Sequence, residues 1–327
     1  MRILPGRAPA TIPRQLIGPV AVALVLTSLS ASCRQSVPTV PDKLVLRVST
    51  AFAPFSTRLT EEYRRTMPDL DIREQAALSS TDVLRMIQDN TLDFGVALAD
   101  DAYRAYFGHG GDAPAKSEVR GLSLLQPLPM YLLVRAGSKV KTISDLKGGV
   151  VAVGPRNSSS WTLGTLVLKA FNVEPVTIKP LSSREAAAQG LKDGSLDAIV
   201  LPGYVYPDEK TEEVIRDGAY LVPIEGPPVE QLRRESPFVR VVMIPRDIYP
   251  GQDKIIPTVG IDMLIVCRRD LDEQLAYRIT EQLFNVFPRL ARVEATMRFM
   301  NLEEAPATPI PLHPGAARYF RERELSR

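Results

Sequence analysis

The stretch from Ile87 to Leu98 resembles the stretch from Leu191 to Leu201, and this internal repeat constrains the fold more than any other feature of the sequence. Each copy reads as the end of a helix, a tight polar turn, the pair Leu-Asp and an apolar strand. Each also follows a strand–loop–helix segment, the first beginning at Leu44 and the second at Gly149. Two α/β lobes of similar plan explain the repeat more economically than a solenoid. Chance similarity between two common helix–turn–strand patterns is the alternative.

Strands and helices alternate before the first copy of the repeat. The elements predicted from hydrophobic periodicity are Leu44–Ser49 as a strand, a helix with Leu59, Tyr63 and Met67 on one face, Leu70–Gln75 as a strand, a helix with Val83, Leu84 and Ile87, and Leu92–Leu98 as a strand. This order is typical of a parallel sheet covered by helices. We therefore predict an α/β fold made of two doubly wound lobes joined by crossing hinge strands.

Apolar strands are expected to connect the two lobes. Leu128–Arg135 would carry the chain into the second lobe, and Val239–Ile244 resembles the return path, while Pro223–Pro228 is predicted to be an irregular connection. The predicted boundaries are residues 44–130 plus 245–327 for lobe I and residues 131–244 for lobe II.

Doubly wound lobes bind ligands at the carboxyl ends of their strands. With two such lobes, these ends face each other across a cleft that closes around a small ligand by a hinge motion. The candidate ligand-binding residues lie in the loops that follow the strands: Ser49, Thr50, Ala51, Ser79, Ser80, Thr81, Ala99, Asp100, Arg156, Asn157, Ser158, Ser159, Ser160, Trp161, Pro202, Gly203 and Tyr204. For any single hydroxyl among them, capping of the next helix is the simpler interpretation.

The loop between the strand Gly149–Val153 and the helix predicted over Leu163–Phe171 has the features of an anion site. A strand, a loop of small residues and a helix N-terminus bring unpaired N–H groups and the positive end of the helix dipole to one point. Arg156 would add a guanidinium suited to a carboxylate or a phosphate. Trp161, the sole tryptophan, either stacks on the ligand or packs between the lobes. A turn whose serines only cap the helix is the alternative.

Residues 1–32 have the pattern of a secretory signal peptide. Basic residues from Arg2 to Arg14 precede the apolar run Leu16–Leu29, which is followed by small residues and then by Cys33. A basic segment, a short apolar segment and small residues at a cleavage point define such a signal. The run is shorter than the ~20 residues that a membrane-spanning helix needs.

The end of this run on Cys33 resembles the bacterial lipobox, in which the Cys is lipidated after cleavage. Ser30 departs from that pattern, which prefers Leu, and a plain signal peptide with a chance Cys is the alternative. Residues 33–43, which include Pro38 and Pro41, are predicted to be a tether. We expect an exported protein, periplasmic or on the cell surface, anchored by lipid at Cys33.

Composition and charge exclude several classes of function. The net charge is +2, and loss of the three arginines of residues 1–32 changes it to −1, so a basic nucleic-acid-binding face is not expected. Cys267 ends an apolar run and is predicted to be a buried thiol. His109 and His313 have no neighbouring ligand cluster, so we predict neither a metal site nor a cofactor. No catalytic motif is present, and we predict a binding protein, expected to be a monomer, rather than an enzyme.

Two long motifs are similar to those of the TAXI solute-binding proteins of TRAP transporters. They are Tyr249–Asp253 (Tyr-Pro-Gly-Gln-Asp) followed by Pro257–Gly260, and Pro309–Phe320 near the C-terminus. The resemblance covers roughly Leu44 to Phe320. It implies a type II periplasmic-binding-protein fold, capture of a small anion of the dicarboxylate, 2-oxo acid or acidic amino acid class, and delivery to a membrane permease driven by an ion gradient. Because Pro-Gly is typical of turns, we assign the Tyr249–Asp253 motif mainly to hinge or interlobe structure.

Both expected binding loops depart from the family pattern. The first, Ser49–Ser56, contains no glycine where the family is glycine-rich, and in the second Arg156, Asn157 and Ser159 replace Pro, Gly and Gly. Because glycine permits close backbone approach, its loss predicts fewer backbone contacts and more side-chain contacts with the ligand. A glutamate-like ligand is therefore less expected than another acidic ligand held by Arg156.

The sequence thus predicts an extracytoplasmic receptor for a small organic anion that works with a TRAP-type permease. A ligand-sensing protein that signals to a membrane sensor kinase is the alternative. An enzyme on the same two-lobed fold is a third possibility.

Overall fold

The computed structural model describes residues 43–108, 118–203, 207–293 and 300–325. The predicted signal peptide, Cys33, nearly all of the tether, His109 and Tyr204 lie outside these residues. The strands of the described part are β1 (Leu44–Ser49), β2 (Leu70–Gln75), β3 (Phe94–Leu98), β4 (Val119–Val134), β5 (Val150–Val153), β6 (Thr177–Pro180), β7 (Ala198–Pro202), β8 (Tyr220–Leu221), β9 (Val239–Ile244) and β10 (Ile256–Arg268). The helices are α1 (Phe55–Thr66), α2 (Ser80–Gln88), α3 (Ala99–Phe107), α4 (Ser159–Ala170), α5 (Arg184–Asp193), α6 (Glu209–Arg216), α7 (Pro227–Glu235), α8 (Glu273–Val293) and α9 (Pro314–Leu325), with a 3-10 turn over Ile143–Leu146.

The strands form a mixed sheet in the order β2-β1-β3-β10-β4-β7-β5-β6, with β8 beside β4 and β9 beside β10. The strands β2, β1 and β3 are parallel on one side, and β7, β5 and β6 are parallel on the other. We call the β1–β3 side lobe I and the β5–β7 side lobe II. The long antiparallel strands β4 and β10 join them.

The strand β4 crosses from one lobe to the other, as the sequence predicts for its second half. Residues Val119–Pro129 pair with β10, whereas Met130–Val134 pair with β7. The change of partner therefore falls between Pro129 and Met130. Every residue of β4 except Arg120 and Pro127 is buried, as expected for a strand covered on both faces.

The return crossing is made by β10 rather than by Val239–Ile244. That segment is a strand at the predicted bounds, β9, but it pairs with Ile256–Ile261 of β10. Beyond this point Met263–Cys267 of β10 pair with β3 of lobe I. The lobe boundaries given above stay a prediction.

Two further local predictions were wrong at helix starts. The helix α4 begins at Ser159 rather than Leu163, because Ser158 caps it by accepting the N–H of Trp161. Pro227 and Pro228, predicted to lie in an irregular connection, occupy the first turn of α7. The missing N–H of proline costs nothing there, because first-turn N–H groups have no partner within the helix.

Three hydrophobic clusters hold the sheet between its helices. One lies in lobe I beneath α1, α8 and α9, and a smaller one lies in lobe II beneath α5 and α6. The third runs through both lobes, from Val83 and Ala97 to Val151 and Leu163. The lobes therefore share apolar packing as well as two strands. Cys267 is fully buried, as predicted, and burial raises the pKa of its thiol.

Candidate functional site

The loops that follow the parallel strands converge where β4 changes partner. A cavity of about 110 Å³ lies at this point, and we call it the interlobe cavity. It is lined by Leu98, Leu128, Pro129, Met130, Ser158, Ser159, Ser160, Leu163, Pro202 and Ile261. The three serines and Pro202 are among the predicted site residues. Apart from Pro202, the apolar wall was not predicted, because its residues come from the crossing strands, from the end of β3 and from α4 rather than from loops.

A wider groove of about 690 Å³ combines Thr81 and Asn157, both predicted, with a set of polar and charged side chains from α2, α3 and α4. We call it the arginine groove, because Arg85 and Arg104 line it. The opposed loops of lobes I and II thus contribute jointly to both spaces.

The N-terminus of α4 is built by close contacts among small residues. The hydroxyl of Ser158 donates to the carbonyl of Pro155 at 2.6 Å and lies 3.0 Å from the hydroxyl of Ser160. A Cβ on Gly154 would lie 2.0 Å from the Ser160 hydroxyl oxygen, so only glycine fits there. Asn157 adopts a φ of 64°, a conformation that Asn tolerates better than most residues.

Two backbone donors at this end of α4 are unused within the described residues. The N–H groups of Ser159 and Ser160 belong to the first turn of the helix, and no acceptor in the described part of the chain binds them. Such groups, together with the helix dipole, favour a negatively charged or strongly accepting ligand atom.

Asp100 connects the two lobes. Its carboxylate is fully buried, accepts the hydroxyl of Ser159 from lobe II at 2.7 Å and is bound by Arg104 at 3.0 Å. Arg104 also pairs with Asp101 and lies 3.5 Å from the hydroxyl of Thr162. Sequence reasoning missed Arg104, although its spacing of four residues from Asp100 on a helix is the usual signal for an ion pair.

Asp101 is the second carboxylate that pairs with Arg104. Burial raises the pKa of its carboxyl and the charge of Asp100 raises it further, while Ser80 and Arg104 act in the opposite direction. The Ser80 hydroxyl also accepts the N–H of Leu98 at 2.9 Å. Ser80 and the two aspartates therefore fix the start of α3, where Ala99 is completely buried.

The hydroxyls of the lobe I loops are used by the loops themselves. Ser49 accepts the N–H of Ala51 at 2.9 Å, and Thr50 donates to the carbonyl of Gln75 through both its N–H, at 3.0 Å, and its hydroxyl, at 3.4 Å. Ser79 caps α2 and lies 2.9 Å from the hydroxyl of Thr81. Their contact with a ligand stays a prediction, and their contribution to local structure is what the hydrogen bonds establish.

Arg156 lies at the surface of the α4 loop. Its guanidinium carbon is 4.7 Å from the centre of the Trp161 ring, and no carboxylate pairs with it among the described residues. A guanidinium stacked on an indole is held in place by a cation–π attraction without losing its donors. Trp161 is half-buried and packs against the cluster shared by the lobes. Arg156 is therefore positioned by Trp161 and is not among the residues that line the interlobe cavity or the arginine groove.

The end of β7 is fixed from two sides. The N–H of Gly203 donates to the carbonyl of Pro129 at 2.7 Å, and a Cβ at this position would lie 2.4 Å from the Tyr131 ring. Arg184 binds the carbonyl of Pro202 at 2.9 Å and also binds the Asp208 carboxylate. Pro202 is thereby held against the interlobe cavity.

Neither of the two motifs that resemble a known family contributes a lining residue to the interlobe cavity or the arginine groove, although Pro257–Gly260 leads into Ile261 of the interlobe cavity. Tyr249 is buried in the lobe II cluster, where its ring packs edge-on against Tyr131 and its hydroxyl accepts the N–H of Asp208. The C-terminal motif runs beside β4, where His313 donates its N–H to the carbonyl of Gly121. The His313 side chain is buried.

The described residues contain no group of three His, Cys, Asp or Glu side chains placed to hold a metal ion. None of the helices in this part of the chain combines the length and the apolar character required to cross a membrane.

Comparison with known proteins gives a family and a fold. A model of the NMT1-like family matches residues 52–323. The protein XAC2383 from Xanthomonas citri, solved bound to ATP, is similar over 85% of this chain and 94% of its own, with 13% identity and a TM-score of 0.51. The periplasmic aliphatic sulphonate binding protein SsuA from Escherichia coli matches over 86% and 76%, with 14% identity and a TM-score of 0.46. The predicted fold class is confirmed: the chain has the α/β architecture of the type II periplasmic binding proteins.

Proposed function

The chain belongs to the NMT1-like family, and from this premise we propose that it is an extracytoplasmic solute-binding protein that captures a small organic anion between its lobes and delivers it to a TRAP-type membrane permease. The observation that carries the proposal is the interlobe cavity, beside which the N–H groups of Ser159 and Ser160 have no partner among the described residues. Ligand pockets in two-lobed proteins lie at such junctions, with few polar groups around an apolar wall.

An anion is the favoured ligand because donors without a partner in the described part of the chain lie beside the interlobe cavity. The Asp100 carboxylate accepts the Ser159 hydroxyl and pairs with Arg104, which it shares with Asp101, so its acceptor oxygens are already engaged. The N–H groups of Ser159 and Ser160 have no partner among the described residues, whereas that of Trp161 binds the Ser158 hydroxyl. Arg156 is exposed and stacks on Trp161, and Trp161 lies two residues after Ser159 in the chain. A rotation of its side chain would bring a guanidinium toward an anion at the cavity mouth.

The partner and the location rest on sequence features. The motifs at Tyr249–Asp253 and Pro309–Phe320, which resemble the TAXI proteins, support a TRAP-type permease as the partner. The N-terminal pattern supports export and lipid attachment at Cys33, and the chain is expected to act as a monomer without a cofactor or catalytic activity.

A thermal-shift screen of monocarboxylates, dicarboxylates, 2-oxo acids and amino acids tests the binding function directly. A ligand present at 100 times its dissociation constant stabilises the folded state by ~2.7 kcal/mol. We expect stabilisation by members of the anionic classes and none by matched neutral amides. An unchanged melting temperature across all anions would reject the proposal.

The permease and the sensor kinase are separated by a different experiment. A gene for a multi-span permease beside this one, and loss of solute uptake when either gene is deleted, would support transport. Unimpaired uptake together with loss of a solute-dependent transcriptional response would instead support signalling. Metabolic labelling with a fatty acid, compared between the full chain and Cys33→Ala, tests the lipid anchor.

A further inference from the structure

The lining of the interlobe cavity separates into an apolar wall and a polar rim. The wall comes from both lobes and from both crossing strands: Leu98, Leu128, Pro129, Met130, Leu163, Pro202 and Ile261. The rim consists of Ser158, Ser159 and Ser160 at the start of α4. None of the described side chains that line this cavity carries a charge.

We propose, on the basis of the binding function above, that this cavity receives an uncharged aliphatic end of the ligand, and that the ligand therefore carries a single charged group at the α4 end. A second carboxylate placed against this wall would lose its hydration without gaining a partner, which is strongly unfavourable. Of the anion classes considered, aliphatic monocarboxylates and 2-oxo acids fit this arrangement, and dicarboxylates do not.

The volume limits the length of the aliphatic group. An engineered cavity of about 150 Å³ lined by Leu, Ile and Phe side chains accepts benzene. The interlobe cavity, at about 110 Å³, is somewhat smaller. It therefore holds about four carbon atoms, a butyl or isobutyl group, by the same measure.

Three observations make this cavity a built feature rather than a packing defect. Gly203 and Pro202 are held against it by the Pro129 carbonyl and by Arg184. Leu98 is held by the bond from its N–H to Ser80. Ser159 is held by its bond to the buried Asp100. The residues that line the cavity are thus held in place by polar contacts to their surroundings.

The experiment compares glutarate with 5-methylhexanoate, in which an isopropyl group replaces one carboxylate at nearly the same volume. Titration calorimetry on the full mature chain is expected to give at least ~10-fold tighter binding of 5-methylhexanoate, because only its end is compatible with the apolar wall. Along the series from acetate to octanoate, affinity should rise about fourfold for each added methylene until the cavity is full, and then level off.

Variants of the wall locate the effect. Leu98→Ala, which enlarges the cavity, should move the plateau to longer chains, and Leu98→Phe, which fills it, should move the plateau to shorter ones. Leu44→Ala, an exposed leucine at the start of β1, is the matched control and should leave the series unchanged.

The outcomes distinguish this inference from the function on which it rests. The inference would be overturned if glutarate bound as tightly as 5-methylhexanoate or more tightly. It would also be overturned if neither Leu98 variant moved the chain length at which affinity levels off. In both cases the binding function would stand. Absence of binding by every carboxylate of both types would overturn both.

Discussion

The two lobes contain the same corner, and its two copies differ in how they are held. In lobe I the Asp93 carboxylate accepts the N–H of Arg47 at 2.6 Å, and in lobe II the Asp197 carboxylate accepts the N–H of Val150 at 2.8 Å. In each copy the aspartate N–H also donates to the carbonyl of that same residue. The internal repeat of the sequence is therefore a repeat of structure, in which a Leu-Asp pair joins a new strand to its parallel neighbour.

The difference lies in the side chains that surround the aspartates. Asp93 is buried and also pairs with the guanidinium groups of Arg47 and Arg268, so that one carboxylate ties β1, β3 and β10 together. Asp197 is half-buried, and within the described residues it bonds only to backbone. The loops of the two lobes also differ in how far their polar groups are paired. The hydroxyls of Ser49 and Thr50 bind the backbone of lobe I, whereas the N–H groups of Ser159 and Ser160 in lobe II have no partner among the described residues. Lobe I is thus held by more side-chain contacts at this corner, and lobe II contains the backbone donors without a described partner.

The largest effect is expected from removing the two aspartates in turn. Asp93→Ala leaves two partly buried guanidinium groups without their carboxylate and should lower the free energy of unfolding by about 3–5 kcal/mol. Asp197→Ala loses a single bond from a backbone N–H to a charged acceptor and should lower it by about 1.5–3 kcal/mol. Urea denaturation of both variants measures the difference. Equal losses would mean that the backbone bonds alone hold both corners.

Asp262, on the strand β10 that joins the lobes, gives a second contrast with Asp93, because it is a buried carboxylate with a single, shared partner. Arg240 lies 3.3 Å away and is shared with Glu304. Burial raises the pKa of Asp262 from its ordinary value of 3.8 to about 6, against the opposing effect of Arg240. Between these two pH values the folded state binds more protons than the unfolded state, so stability falls as pH rises through this window.

Asp262→Asn should abolish this part of the pH dependence. The variant is expected to be more stable than the wild type by about 2–3 kcal/mol at pH 7.5 and nearly equal to it at pH 4, because a pKa unit corresponds to about 1.4 kcal/mol. Thermal unfolding at both pH values measures the two differences. A stability gain that is the same at pH 4 and pH 7.5 would show that Asp262 does not titrate in this window.

Arg156 tests the assignment of the binding chemistry to lobe II. If it reaches the anion, Arg156→Ala should weaken binding of the best anion from the screen by about 1.5–3 kcal/mol, the range of a charge-assisted hydrogen bond. Arg73→Ala in lobe I, also an exposed arginine, is the matched control and should leave the affinity unchanged. Equal affinities of the wild type and Arg156→Ala by calorimetry would confine Arg156 to its contact with Trp161.

The sequence predicted the fold class and the parallel strands of the two lobes, because these depend on local periodicity and on the Leu-Asp repeat, while ligand binding by the loops after those strands stays a prediction. Apart from Pro202, it did not predict the apolar wall of the interlobe cavity. Leu128, Met130 and Ile261 reach the cavity only because β4 and β10 cross between the lobes, and pairing over such distances leaves no local pattern in the sequence. The same holds for the bond between Asp100 and Ser159, whose residues are far apart in the chain.

The last prediction concerns that bond, which together with the contact between Arg104 and Thr162 joins the two lobes through polar side chains. Ser159→Ala removes the hydroxyl bound to the charged Asp100 and should cost about 1.5–3 kcal/mol of stability, whereas Ser49→Ala loses a neutral bond within lobe I and should cost about 1 kcal/mol. The two variants should also differ in lobe closure. Trp161 is the only tryptophan, and it lies on α4 two residues from Ser159. Its emission should shift to longer wavelength in Ser159→Ala, as the lobes separate and water reaches the indole, and stay unchanged in Ser49→Ala. Identical emission from both variants would mean that the shared apolar cluster, rather than the bond to Asp100, keeps the lobes together.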